Sequence, residues 1–175
     1  SLPVGRSVVY LLLFGLAIAI VFRGIPYWIG LLIIPAVLMF MDREALKMDE
    51  LNHQTNPNYD SRRGLIIRYN RLGDLAQGKK TPEGDAEAEQ WYRKCLEVAE
   101  QNYQVNPNYD SQRDLASSYD LLGMLAQRKQ TPEAAVRAER WYRKSLELAE
   151  QNYQANPSYD SRRSLFIRYN RLGEL

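Results

Sequence analysis

The chain has 175 residues, a formal net charge of +2, one cysteine and one histidine. A charge so close to balance gives no support for binding nucleic acid or any other partner of a single sign. A lone cysteine excludes an internal disulfide framework, and with a single histidine it excludes a Cys/His metal cluster.

Two uncharged apolar runs lie at the N-terminal end. Residues 7–22 read SVVYLLLFGLAIAIVF and residues 25–41 read IPYWIGLLIIPAVLMFM. Each run is near the shortest length at which a helix spans a bilayer, and the glycine and proline between them suit a tight turn. We therefore predict a two-helix membrane hairpin over residues 1–41, with Tyr27 and Trp28 at the membrane interface.

Other interpretations of these runs remain open. A cleaved signal peptide would explain the first run but not the second run directly behind it. A buried soluble hairpin would be expected to show a polar face, and neither run has one. A shallow hairpin that enters the bilayer without crossing it is also possible, because both runs are short and Pro35 would kink the second.

The flanking charges predict an orientation for a crossing hairpin. Arg6, Arg43 and Lys47 would lie on one side of the membrane and Arg23 alone on the other. The excess of positive charge then places the rest of the chain in the cytoplasm. We expect a two-pass membrane protein.

The remainder of the chain is an internal repeat. The motif Asn-Pro-Asn-Tyr-Asp-Ser at residues 56–61 recurs at residues 106–111 and, with one substitution, at residues 156–161. Roughly two-thirds of the positions are identical between the first two blocks, as in a repeat array. We predict a half repeat over residues 42–55, full repeats over residues 56–105 and 106–155, and a partial repeat over residues 156–175.

Each full repeat contains two helical patterns. The apolar residues of the first repeat that follow helical spacing are Leu65, Tyr69, Leu72, Gly73 and Ala76, then Ala88, Trp91, Tyr92, Cys95, Leu96, Ala99 and Tyr103. Residues 78–80 interrupt the pattern, and Thr81 and Pro82 are typical of a new helix start. Because the apolar stripes cannot be buried within one repeat, stacked repeats must cover them. The predicted fold class is all-α, a solenoid after the membrane hairpin.

The pattern resembles the tetratricopeptide repeat. The matching residues are Tyr69, Leu72, Gly73, Ala76, Ala88, Tyr92, Cys95 and Pro107 in the first repeat, and Tyr119, Leu122, Gly123, Ala126, Ala138, Tyr142, Ser145 and Pro157 in the second. The period is longer than the usual one by about sixteen residues. The resemblance implies a long-helix variant in which the first helix of each repeat lines a groove for a protein partner.

The resemblance also implies which residues face that groove. The partner-binding positions expected in the three blocks are Asn70, Arg71, Asp74, Asp120, Met124, Gln127, Asn170 and Arg171. These positions vary between blocks that are otherwise alike, which fits either a binding surface or neutral drift. Of the carboxylate-binding set found in some relatives only Arg171 is present, which disfavours capture of a peptide C-terminus.

The sequence shows no pattern typical of catalysis. It contains no phosphate-binding glycine loop, nucleophile motif or metal-ligand spacing, so we predict no enzyme activity, no cofactor and no metal. His53 stands where Tyr103 and Tyr153 stand, and Cys95 alternates with Ser145, so packing roles are expected for both. The series of arginines at residues 63, 113 and 163 fits either a ligand track or ion pairs with the adjacent helix.

The expected function is that of a membrane-anchored scaffold or adaptor for protein–protein interaction. The alternative is a structural accessory subunit of a larger membrane complex, in which the hairpin packs on other membrane helices. A third possibility is an enzyme domain beyond Leu175, since the last block stops inside its first helix and leaves its apolar stripe to be covered by more chain or by another subunit. The expected partners are proteins and a lipid bilayer.

Overall fold

The computed structural model describes the backbone of residues 27–175 and the side chains of residues 40–175. Within this part of the chain all regular structure is α-helical, which confirms the predicted all-α class there. The helices are α1 (Tyr27–Thr55), α2 (Tyr59–Gln77), α3 (Pro82–Val105), α4 (Tyr109–Gln127), α5 (Pro132–Ala155) and α6 (Tyr159–Gly173).

The predicted membrane hairpin is only partly covered by the structure. The first apolar run, residues 7–22, and the side chains of Tyr27 and Trp28 lie outside the described residues. Helix α1 contains the described part of the second run together with the predicted half repeat, residues 42–55. No helix in the described range combines the length and the apolar composition that crossing a membrane requires. The repeats belong to one compact unit, Ala45–Leu175.

The recurring motif begins the first helix of each repeat. The side-chain oxygen of Asn58 accepts a hydrogen bond from the backbone N–H of Ser61 at 2.8 Å, and the Ser61 hydroxyl accepts one from the backbone N–H of Asn58 at 3.0 Å. The same capping box recurs as Asn108 with Ser111 and as Ser158 with Ser161. The motif therefore satisfies two backbone donors that a helix start would leave unpaired.

The turns inside the repeats fall where the sequence predicts them. Thr81 precedes α3 and accepts a hydrogen bond from the backbone N–H of Gly84 at 3.0 Å, which satisfies a free donor of the first turn. The left-handed residues of the turns are Lys80 (φ 54°) and Gln130 (φ 50°), whereas Gly78 keeps a helical φ of −61°. The glycine is therefore not the residue that reverses the chain.

The Leu-Gly pair of the repeat lets two helices approach closely. A Cβ atom at Gly73 would overlap the ring of Tyr92, and one at Gly123 would overlap the ring of Tyr142. Both tyrosines are 1% exposed. The glycine is thus required because the tyrosine ring of the second helix occupies the space of its missing side chain.

An aromatic pair under a cation joins the two helices of each full repeat. The rings of Tyr69 and Trp91 are stacked with centroids 5.9 Å apart, and the Lys94 ammonium lies 4.9 Å from the Trp91 centroid. The second repeat contains the equivalent set of Tyr119, Trp141 and Lys144. Burial of the rings supplies most of the stabilisation, to which a cation over a ring adds about 0.5–1 kcal/mol at exposed sites.

Successive repeats are joined by a recurrent hydrogen bond. A tyrosine hydroxyl of each first helix donates to a glutamate of the preceding helix. The pairs are Tyr69 with Glu50 (2.9 Å), Tyr119 with Glu100 (3.0 Å) and Tyr169 with Glu150 (2.6 Å). The stacking predicted from the apolar stripes is therefore accompanied by a polar contact with the same period.

The partial repeat exposes the stripe that the full repeats bury. Phe166 is 64% exposed and Tyr169 is 51% exposed, whereas the equivalent Ile66 and Tyr69 are 5% and 7% exposed. In the first repeat α3 packs on these positions. No described helix occupies the corresponding place on α6.

Candidate partner-binding face

The predicted groove residues lie on α2, α4 and α6 at matching helix positions, and we call these positions the first-helix face. At 3.6 residues per turn, residues spaced three and four apart lie on one side of a helix. Side chains connect the neighbouring first helices: the Gln127 amide donates to the Glu174 carbonyl at 3.4 Å, and Arg63 lies 3.7 Å from Asp114. The face is therefore formed by adjacent repeats.

Two predicted residues, Asp120 and Arg171, bind each other across the boundary between the second and third blocks. Their oxygen and nitrogen atoms are 2.7 Å apart, and a second guanidinium, from Arg168, lies 3.2 Å from the same Asp120 oxygen. Asp120 is 6% exposed and Arg168 is 5% exposed. Burial lowers the pKa of Arg168, and the Asp120 carboxylate opposes that shift. This cluster fixes α6 against α4.

Arg168 is the residue that the sequence interpretation missed. It also donates to the Ser145 hydroxyl at 2.6 Å. The signal lies in residues of neighbouring blocks: the second block has Asp120 where the first has Asn70, and the helix after Asp120 has Arg168 where the helix after Asn70 has Ser118. At these positions, charged residues lie on both sides of the boundary between the second and third blocks, and neutral residues lie on both sides of the boundary between the first and second.

Two more predicted residues receive hydrogen bonds from the second helix of their own repeat. The Tyr92 hydroxyl donates to Asp74 at 2.7 Å, and the Tyr142 hydroxyl donates to Gln127 at 2.9 Å. Burial raises the pKa of Tyr92, and the hydrogen bond to Asp74 raises it further. Burial likewise raises the pKa of Tyr142 to about 12. Asp74 and Gln127 are thus held in place by buried phenols.

The remaining predicted residues differ in exposure. Met124 is 40% exposed, Arg71 and Asn170 are exposed, and Asn70 is half-buried. The side-chain oxygen of Asn70 is buried without a hydrogen-bond partner among the described residues. Two apolar side chains at equivalent positions share the face, Ile67 at 60% and Ile167 at 38% exposure. The first-helix face therefore combines fixed polar groups with exposed apolar ones.

The arginine series forms one contact between helices. Arg63 of α2 approaches Asp114 of α4, whereas Arg113 pairs with Asp110 of its own helix at 3.0 Å. Burial raises the pKa of Asp114, and Arg63 opposes that shift. The three arginines are therefore not equivalent, although the sequence repeats them.

The histidine and the cysteine make structural contacts. His53 Nδ1 lies 3.0 Å from the hydroxyl of Ser61, the residue that closes a capping box. The Cys95 thiol donates to the Ile66 carbonyl at 3.5 Å, as the Ser145 hydroxyl donates to the equivalent Ala116 carbonyl at 2.8 Å. Burial raises the Cys95 pKa to about 11. The described residues contain no cluster of three or more His, Cys, Asp or Glu side chains that could hold a metal ion.

Comparison with known proteins adds little to this geometry. No family model matches the chain, and no curated protein matches it. A solved structure described as "DHF79 filament" matches with a TM-score of 0.43 and 15% sequence identity, over 91% of this chain and 79% of that chain. A similarity this distant supports no conclusion about function. What the structure shows is an all-helical array of repeats.

Proposed function

We propose that the protein is a tetratricopeptide-like scaffold that holds a protein partner on its first-helix face. The observation that carries this proposal is the exposure of Ile67, Met124 and Ile167 on that face, at 60%, 40% and 38%. Exposed apolar side chains grouped among polar ones are typical of interaction surfaces. The tetratricopeptide assignment is supported by the glycine under a buried tyrosine in both full repeats.

The polar groups of the face suit recognition of an extended segment of a partner. Asp74 and Gln127 are held by tyrosine hydroxyls at 2.7 and 2.9 Å, so a partner would not have to order them on binding. Arg71 and Asn170 are exposed beside them. Apolar contacts would supply affinity, and the charged groups would set the register of the bound segment.

The proposal includes attachment to a membrane through the N-terminal hairpin, with the repeats in the cytoplasm. It rests on the two uncharged runs of residues 7–22 and 25–41 and on the flanking positive charges. Extraction of cell membranes with alkaline carbonate tests it. The full chain should stay in the membrane pellet and a chain lacking residues 1–41 should be released. Release of both chains would remove the anchor from the proposal.

Site-directed photo-crosslinking in cells tests the scaffold function. A photoreactive residue at Met124 should capture a discrete protein partner, whereas the same residue at Val105, which is 69% exposed near the end of α3, should not. Substituting Ile67→Ser and Ile167→Ser should abolish capture from Met124, because it removes two exposed apolar side chains of the face. Serine should be tolerated at both positions, since Ser117 occupies the equivalent position in the second repeat. Val105→Ala, with the residue that the second repeat carries there, is the matched control.

Equal capture from Met124 and Val105, or capture that survives the serine substitutions, would contradict the first-helix face as the binding site. Crosslinks confined to the N-terminal hairpin would instead favour a structural subunit of a membrane complex.

A further inference from the structure

A cavity of about 190 Å³ lies between α3, α4 and α5, and none of its lining residues belongs to the first-helix face. We call it the α3–α5 cavity. Two leucines and an alanine of α4 line its apolar part. Its charged and aromatic lining consists of Glu89, Arg93, Lys129, Arg137, Arg140 and Trp141. Four cations therefore surround one carboxylate.

The carboxylate in the cavity is already paired. Glu89 accepts hydrogen bonds from Arg93 at 2.8 Å and from Lys129 at 3.2 Å. Burial alone would raise the pKa of Glu89, but the hydrogen bonds from these two cations lower it. The guanidinium groups of Arg137 and Arg140 make no ion pair or hydrogen bond with any residue that the structure describes. Two cations of the cavity are therefore available to a ligand.

The first repeat forms the equivalent helix without these two cations. Glu87 and Gln90 stand in α3 where Arg137 and Arg140 stand in α5. In the first repeat Lys79 pairs with Glu87 at 2.5 Å. In the second repeat the equivalent acid is replaced by Arg137, and Lys129 pairs with Glu89 of the preceding repeat instead. If the lysine–glutamate contact within a repeat served only packing, the second repeat would be expected to keep it.

We propose that the α3–α5 cavity binds the carboxylate side chain of an acidic peptide segment. Glu89 shows that the cations of this cavity accept a carboxylate, and a guanidinium binds a carboxylate through two parallel hydrogen bonds. The partly buried Trp141 ring provides apolar surface for the methylene groups of a glutamate. The cavity would thus form a second binding site, separate from the first-helix face.

Tryptophan fluorescence of the full chain measures this binding, with a hexaglutamate peptide as the probe. The peptide should change the emission saturably, and Trp141→Phe should remove the change, which assigns the signal to the cavity. Hexaglutamine should give no change. Affinity should fall as salt is added, because the cations are partly exposed to solvent and screened by ions.

The decisive variant replaces the two free cations by the residues of the first repeat, Arg137→Glu with Arg140→Gln. It should bind hexaglutamate at least about tenfold more weakly, the effect of losing about 1.4 kcal/mol of binding free energy. Folding should be preserved, since α3 carries the same residues, and the far-ultraviolet circular dichroism checks this. The control Arg162→Glu with Arg163→Gln changes the net charge equally on α6 and should leave the affinity unchanged.

Each other result would overturn the proposal. Wild-type protein that does not bind hexaglutamate saturably has no such site. Equal weakening in the α6 control would show non-specific attraction to net charge. Inorganic phosphate that binds as tightly as hexaglutamate, and through the same two arginines, would assign the cavity to phosphate groups in place of a carboxylate side chain.

Discussion

Asp120 occupies a position that asparagine occupies in the other two blocks, as Asn70 and Asn170. Its carboxylate lies between two guanidinium groups of the following helix, 3.2 Å from Arg168 and 2.7 Å from Arg171. The boundary between the first two blocks has neutral residues at the equivalent positions. Equivalent interfaces of this protein are therefore formed once by a cluster of three charged residues and once by neutral residues.

Removing the Asp120 charge should destabilise the protein by about 3–5 kcal/mol, because Asp120→Asn leaves a buried guanidinium without its counter-charge. Adding Arg168→Ser and Arg171→Leu should restore most of the stability, since the interface then carries the residues of the first boundary. Urea unfolding followed by circular dichroism measures both effects. A triple variant less stable than Asp120→Asn alone would show that the two interfaces are not interchangeable.

The face positions are a prediction from the sequence, and that prediction did not include the contacts that several of these residues make. Comparing equivalent positions, such as Arg71 with Leu121, shows only that they vary. The pairing of Asp120 with Arg168 and Arg171 relates different positions of successive blocks. It depends on which residues two adjacent helices bring together, and helical spacing within one block does not contain that information. The unpaired arginines of the α3–α5 cavity, Arg137 and Arg140, were missed because that cavity is also formed by residues of two successive repeats.

At the scale of the helices, most boundaries could be predicted because side chains specify them locally. Asn58 and Ser61 start α2 through their own hydrogen bonds, and the proline after Asn106 ends α3 because it disfavours helical angles in the residue before it. The left-handed residue of the turn could not be predicted, because Lys80 and Gln130 carry no side-chain preference for it. That conformation follows from how the two helices pack.

The contact between successive helices predicts a loss of stability at alkaline pH. Burial raises the pKa of Tyr119 from 10.0 to about 12, and its hydrogen bond to Glu100 contributes to the rise. The folded state therefore holds this proton more tightly than the unfolded state. The stabilisation is complete below pH 10 and is lost as the pH rises from about 10 to about 12.

Tyr119→Phe should accordingly reduce the dependence of stability on pH in this range, by about 1 kcal/mol after allowance for solvent screening. Urea midpoints at pH 9 and pH 11 measure the slope. Glu100→Gln keeps a hydrogen-bond acceptor but removes the charge, which lowers the folded-state pKa of Tyr119, so the loss should be smaller and complete at a lower pH than in the wild type. Identical slopes in the wild type and in Tyr119→Phe would show that this proton is not linked to folding.

At the scale of the whole array, each repeat contacts its neighbours in sequence, so local stability should depend on how many neighbours a helix has. Helices α2 and α6 allow this dependence to be tested within one molecule. Residues 159–175 repeat residues 59–75 with three substitutions, so α2 and α6 have nearly the same intrinsic helix propensity. Helix α2 is covered by α3, whereas Phe166 and Tyr169 of α6 remain 64% and 51% exposed.

Hydrogen exchange in the 175-residue chain should therefore be at least about tenfold faster in α6 than in α2, because opening α6 exposes less additional apolar surface. Peptide-resolved mass spectrometry measures it, with α4, which has helices packed on both sides, as the protected reference. Within α6 the slowest amides should lie near Arg168, whose side chain is buried against α4 and α5. Equal protection of α2 and α6 would mean that helix propensity, or association of chains through α6, stabilises the terminal helix. A dilution series decides between these two causes, since only association depends on protein concentration.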